Sequence, residues 1–196
     1  MTEIVLFHSV LGIRAGVTDA AARFRAAGHT VHTPDLYEGR SFDAYDEAFA
    51  FLESLGGIPA LITRTQAAAE HLPHDVVYAG FSNGGASAEL LTATRPGARG
   101  ALLFHAALPV AAFEMDLTWP KGVPAQVHYA TADPYREEDG ITGLAEEVRA
   151  AGAGFALYDY PGTGHLFTDP ELPAEYDKES AELMFSRALE FLDRVG

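Results

Sequence analysis

Short apolar runs rich in β-formers alternate along this chain with alanine-rich stretches, and that alternation limits the available folds more than any other feature. Glu3 to Phe7, Thr30 to Thr33, Val76 to Ala79, Ala101 to Phe104, Ala125 to Tyr129 and Phe155 to Tyr158 read as strands. Helices are expected near Val17 to Ala27, Asp43 to Leu55, Pro59 to His71, Gly84 to Thr94, Leu144 to Ala151 and Ala174 to Val195. Gly28, Gly56-Gly57, Pro96-Gly97 and Gly152 stand where these helices should stop. Strands separated by helices imply βαβ crossovers, hence an α/β fold with a mostly parallel, doubly wound sheet. Ile4-Val5-Leu6-Phe7 has the unbroken apolar character of a strand covered on both faces. In such sheets the chemistry gathers at the carboxyl ends of the strands.

The composition narrows the partners. A net charge of -15 over 196 residues, with only Lys121 and Lys178 as lysines and no basic run, argues against nucleic acid and anionic membrane surfaces. Without cysteine there is neither a disulfide framework nor a thiolate metal site. MTEIVLFHSV lacks a basic start and reads as a first strand, not a signal peptide, so a cytoplasmic protein is expected. Residues 1–196 read as one domain, a length that can bury a sizeable core.

Gly80-Phe81-Ser82-Asn83-Gly84 fits G-x-S-x-G, and it lies between a predicted strand and a predicted helix. That is the setting of a nucleophile elbow, where glycines permit a turn that holds the serine out. The Asn83 N–H, at the helix start, would face a developing oxyanion. A nucleotide-binding turn is the rival, but "GFSNGG" lacks the G-x-G-x-x-G spacing and no P-loop lysine follows.

A serine hydroxyl needs a base near neutral pH, and eight histidines compete. His29, His32, His71 and His74 fall at element ends remote from the motif. His71 and His74 form an HxxH pair without an adjoining glutamate or third ligand, so no metal is expected. His128 lies inside a strand and reads as a core histidine. His8 and His105 stand at strand ends and can line the site. His165 follows Tyr160-Pro161-Gly162-Thr163-Gly164, a loop that can reach over the sheet. For the acid, Asp133 follows the fifth strand and gives the order Ser, Asp, His, ahead of Asp159, Asp169 and Glu137. The irregular stretch Leu108 to Pro124 is long enough to border a pocket. Ser9, Phe81, His105, Trp119 and Tyr135 are expected around it.

Through "HSVLGIRAG", "PDLYEG", "GFSNGG", "YATADPY", "GTGHLFTD" and "SAELMFSRALEFL", the chain resembles the dienelactone hydrolase family of α/β-hydrolases. The resemblance implies a compact α/β-hydrolase without a large lid and with strand order 2-1-3-4-5-6. Ser82 then matches the nucleophile, Asp133 the acid and His165 the base, with the Val10 N–H completing the oxyanion hole beside Asn83. The best-known members have cysteine where this chain has Ser82, and glutamate beside the oxyanion loop where it has Ser9, which leaves open whether Ser9 or Glu38 replaces that glutamate. They also carry a carboxylate-binding arginine just after the histidine, where Thr168 and Asp169 stand here. The expected activity is hydrolysis of a small carboxylic ester or lactone through an acyl-serine, without metal or cofactor, by a monomer or homodimer. A catalytically silent binding or regulatory protein on the same scaffold is the alternative.

Overall fold

The computed structural model describes residues 1–196. Six strands form one sheet: β1 (Glu3–Phe7), β2 (Thr30–His32), β3 (Val77–Phe81), β4 (Gly100–Phe104), β5 (Ala125–Ala130) and β6 (Phe155–Tyr160). All neighbours pair in parallel, in the order β2-β1-β3-β4-β5-β6, as the alternation and the resemblance predict. Ile4, Val5, Leu6 and Phe7 are fully buried, as a central parallel strand requires.

The helices are α1 (Ala15–Ala26), α2 (Tyr45–Ser54), α3 (Gly57–Ala69), α4 (Asn83–Thr94), α5 (Glu138–Ala150) and α6 (Lys178–Val195). A right-handed crossover from β1 to β2 runs toward one edge, whereas every later crossover runs toward the other. That places α1 on one face, where α6 joins it, and α3, α4 and α5 on the opposite face, where α3 packs on α4. α4 is buried almost all round because it covers β1, β3 and β4 at once. No helix is long and apolar enough to cross a membrane.

Two helix starts differ from expectation by more than two residues. α5 begins at Glu138 rather than Leu144, because Gly140 does not break it. A Cβ there would lie 2.6 Å from the Ala107 carbonyl, so this glycine lets the helix approach a neighbouring loop. Its acidic first turn, Glu138 and Asp139, suits a helix N-terminus. α6 begins at Lys178 rather than Ala174, where the Asp177 carboxylate accepts the Ser180 N–H at 2.7 Å as an N-cap. Within the irregular stretch, Val110–Phe113 form a 3₁₀ turn.

Candidate active site

β3 runs on to Phe81, and the chain then turns sharply into α4 through Ser82 at φ 53° and ψ -119°. A non-glycine residue in that region is strained and persists only where its surroundings fix it. They do so here. Ser82 N donates to the Phe104 carbonyl at 2.8 Å, and the Ser82 carbonyl accepts Gly85 N at 2.7 Å. A Cβ on Gly80 would fall on the Gly84 carbonyl, and one on Gly84 would meet the His8 and Phe7 carbonyls. The glycines therefore let β3, the turn and the end of β1 come together.

His165 Nε2 lies 2.8 Å from Ser82 Oγ, and its Nδ1 lies 2.7 Å from Asp133 Oδ2. Because the carboxylate can only accept, Nδ1 carries the proton, and Nε2 is left to accept from the serine hydroxyl. Asp133 is fixed as well, since its Oδ1 accepts the Tyr135 N–H at 2.8 Å. The turn bearing it is tied to the loop after β6 by Thr131 N to Tyr160 O and Ala132 N to Gly162 O. Asp133 and His165 are both buried, whereas Ser82 is half-buried and reachable.

The Val10 N–H has no acceptor in the protein, and Asn83 heads α4, where the first N–H groups have no partner within the helix. Both residues line the same cavity as Ser82 and His165, about 260 Å³ in volume. The turn before Val10 is set by Ser9, whose Oγ accepts Leu11 N at 3.1 Å and whose carbonyl accepts Gly12 N at 3.0 Å. His8 braces the same turn, with Nδ1 donating to the Ser9 carbonyl while Nε2 accepts Leu36 N.

Of the five residues expected around the pocket, His105 and Tyr135 line it and three do not. Ser9 turns into its own loop. Phe81 points to the other side of the sheet's end, toward Arg14 and Leu166, where the space is filled. Trp119 is buried beside Val110 and Glu147, its indole N–H donating to the Val123 carbonyl at 2.7 Å, so its own loop captures it. Glu38 pairs with Arg64 at the surface and does not reach the cavity. Tyr45, Phe49 and Tyr129 also line the cavity without having been expected there, and Glu137, weighed only as a rival acid, lines it too. The i, i+4 spacing of Tyr45 and Phe49 on α2 was the available signal, but it does not say which face meets the site.

His105 deserves its place on chemical grounds. Like Ser82 it follows a strand with positive φ, 57°, and both its ring nitrogens are buried without a partner. Burial, with His165 beside it, drives its pKa well below the ordinary value and keeps it neutral. Its ring centroid is 5.7 Å from that of His165, so a neutral His105 adds no repulsion when His165 takes a proton. Tyr135, at 4.7 Å, and Tyr45, at 6.2 Å, close two more sides of the imidazole.

Of the three rival acids, Glu137 lines the cavity but it is Asp133 that bonds His165, and the other two are engaged elsewhere. Asp159 pairs with Arg136 at 2.6 Å, and Asp169 is buried against Arg14 at 2.8 Å. Arg14 also binds Asp43 and the Phe42 carbonyl, so none of its donors faces the cavity. His128 is a satisfied core residue, bonded to Tyr160 and Gln126. No three His, Asp or Glu side chains are grouped to hold a metal ion.

This sheet order, with the turn after β3 and the loop after β6 meeting at its carboxyl edge, is an α/β fold that solved hydrolases share. The chain belongs to the dienelactone hydrolase family, which it matches over residues 1–196. A proposed carboxymethylenebutenolidase of Escherichia coli (strain K12) is 24% identical over 98% of this chain and 77% of its own length. Among solved structures, a dienelactone hydrolase-like promiscuous phosphotriesterase from metagenomic libraries superposes with a TM-score of 0.81. It is 19% identical and covers 100% of this chain and 87% of its own. Esterase 2 of Thermogutta terrifontis, phosphorylated by paraoxon, gives 0.65 at 19% identity, covering 100% and 83%.

Proposed function

We propose that this hydrolase is a serine esterase or lactonase acting on small carboxylic esters or lactones through an acyl-serine. The observation that carries the reading is the Asp133–His165–Ser82 chain, with links of 2.7 and 2.8 Å, beside two unpaired N–H groups. His165 Nε2 accepts the Ser82 proton as Oγ attacks the carbonyl carbon, and the oxyanion forms toward the Val10 and Asn83 N–H groups. The Nε2–H then protonates the departing alkoxide. In the second half His165 takes a proton from water, hydroxide attacks the acyl carbon, and Ser82 regains its proton. Asp133 holds the ring tautomer and stabilises the imidazolium throughout.

The cavity lining includes no lysine or arginine, so nothing there demands an anionic substrate. Labelling with a fluorophosphonate and peptide mapping tests the proposal. The label falls on Ser82 and is lost in His165→Ala. A protein that stays unlabelled while p-nitrophenyl acetate turnover is unchanged in Ser82→Ala would refute it.

A further inference from the structure

Beside the cavity just described lies a second space of about 210 Å³ between α3, α4 and the 3₁₀ turn. Its walls are mainly apolar: Ile58, Leu61 and Ile62 from α3, Leu90 from α4 and Phe113 from the turn. Its one polar floor pair, Thr65 and Ser87, is satisfied internally at 2.9 Å and asks nothing of a ligand. Asn83, Ala86 and Leu108 line both spaces, so the groove adjoins the cavity that holds Ser82. Ile58, 53% exposed, is an apolar side chain left in water at the groove.

The geometry assigns an occupant. A leaving alcohol must lie within reach of His165 Nε2, on the side walled by Tyr45 and Tyr135. The acyl group therefore leaves Ser82 on the other side, toward Asn83, Ala86 and Leu108, where the groove starts. It follows α4 from Asn83 to Leu90, about 10 Å at 1.5 Å per residue, roughly the length of a six- to eight-carbon chain. Its outer wall is held in place: the Glu89 carboxyl accepts Leu108 N at 2.9 Å, and Glu147 accepts Val110 N at 2.7 Å. We propose that this groove binds the acyl arm, and that the substrates are esters of straight-chain, medium-length fatty acids with a small alcohol. The proposal rests on the reading of Ser82 as the nucleophile.

The test has a kinetic and a binding arm. For p-nitrophenyl acetate, butanoate, hexanoate and octanoate, each below its aggregation limit and corrected for alkaline reactivity, kcat/KM rises up to about threefold to fourfold per methylene. Ile62→Asp, which puts a charge in the groove, and Ala112→Trp, which fills it from its exposed side, each lower the octanoate-to-acetate ratio at least tenfold. In the binding arm, Ser82→Ala is titrated calorimetrically with ethyl hexanoate and ethyl acetate, and the hexanoate binds at least tenfold tighter. A flat length series with Ser82-dependent hydrolysis overturns the groove and leaves the esterase reading intact. Tighter hexanoate binding without any Ser82-dependent hydrolysis supports the groove and overturns the esterase reading. Equal binding of the two esters overturns the groove whatever the kinetics.

Discussion

Glu89 is fully buried on α4, with one carboxyl oxygen on the Leu108 N–H and the other without a partner. Burial pushes its pKa up from 4.5 to about 8, so it is a neutral acid at pH 7. Between those values the folded protein holds a proton that the unfolded chain has released. The resulting stability is complete below pH 4.5 and is lost as pH rises toward 8. At about 1.4 kcal/mol per unit this is roughly 5 kcal/mol, an upper bound because the Leu108 wall can relax and admit water. Glu89→Gln keeps the shape and the acceptor for Leu108 but cannot ionise. Melting temperatures of both proteins from pH 5 to 8.5 provide the measurement. The wild type should lose up to about 10 °C more than the variant across that range. The buried histidines His105 and His128 titrate alike in both proteins and cancel in the difference. Parallel profiles would refute the reasoning and mean that Glu89 ionises in place at little cost.

Three further outcomes are expected. Asp133→Asn lowers kcat by about three to four orders of magnitude, because the amide keeps its oxygen on the Tyr135 N–H and turns its NH2 to His165 Nδ1, which puts the ring proton on Nε2 and leaves the imidazolium without a counter-charge. Asp159→Asn, on its half-exposed pair with Arg136, leaves kcat within about twofold. Steady-state kinetics of the two variants check this. Arg14→Ala strands the buried Asp169 carboxylate and costs about 3–5 kcal/mol in urea unfolding. Neutral esters exceed matched substrates carrying a free carboxylate in kcat/KM at moderate salt, since the cavity offers no cation and Arg14 is committed elsewhere.

The sheet was legible because its strands are apolar throughout, and burial on both faces is what such runs encode. Their order came from the family resemblance. Ser82, Asp133 and His165 were legible for a related reason. Each follows a strand, and a parallel sheet brings the ends of β3, β5 and β6 to one edge. The pocket walls were not. Trp119 looked like a pocket aromatic, but a carbonyl four residues on in its own loop decided its direction. Phe81 adjoins the serine in sequence yet points away, because alternation along β3 sends it to the other side. Tyr45 and Phe49 reach the site only through the way α2 lies across it, a tertiary outcome that no local pattern contains. The starts of α5 and α6 were displaced by a helical glycine and by an aspartate cap, both decided by single contacts.

The left-handed conformation of Ser82 sets stability against chemistry at one position. A serine held at φ 53° costs on the order of 1–3 kcal/mol that glycine would not incur. Selection for a more durable protein alone would therefore favour Ser82→Gly, reached by altering a single side chain with no repacking. A lineage that had given up hydrolysis would have that easy route downhill open to it. Thermostability screens run on this scaffold without an activity filter will be drawn to the same exchange, and will discard the hydroxyl first.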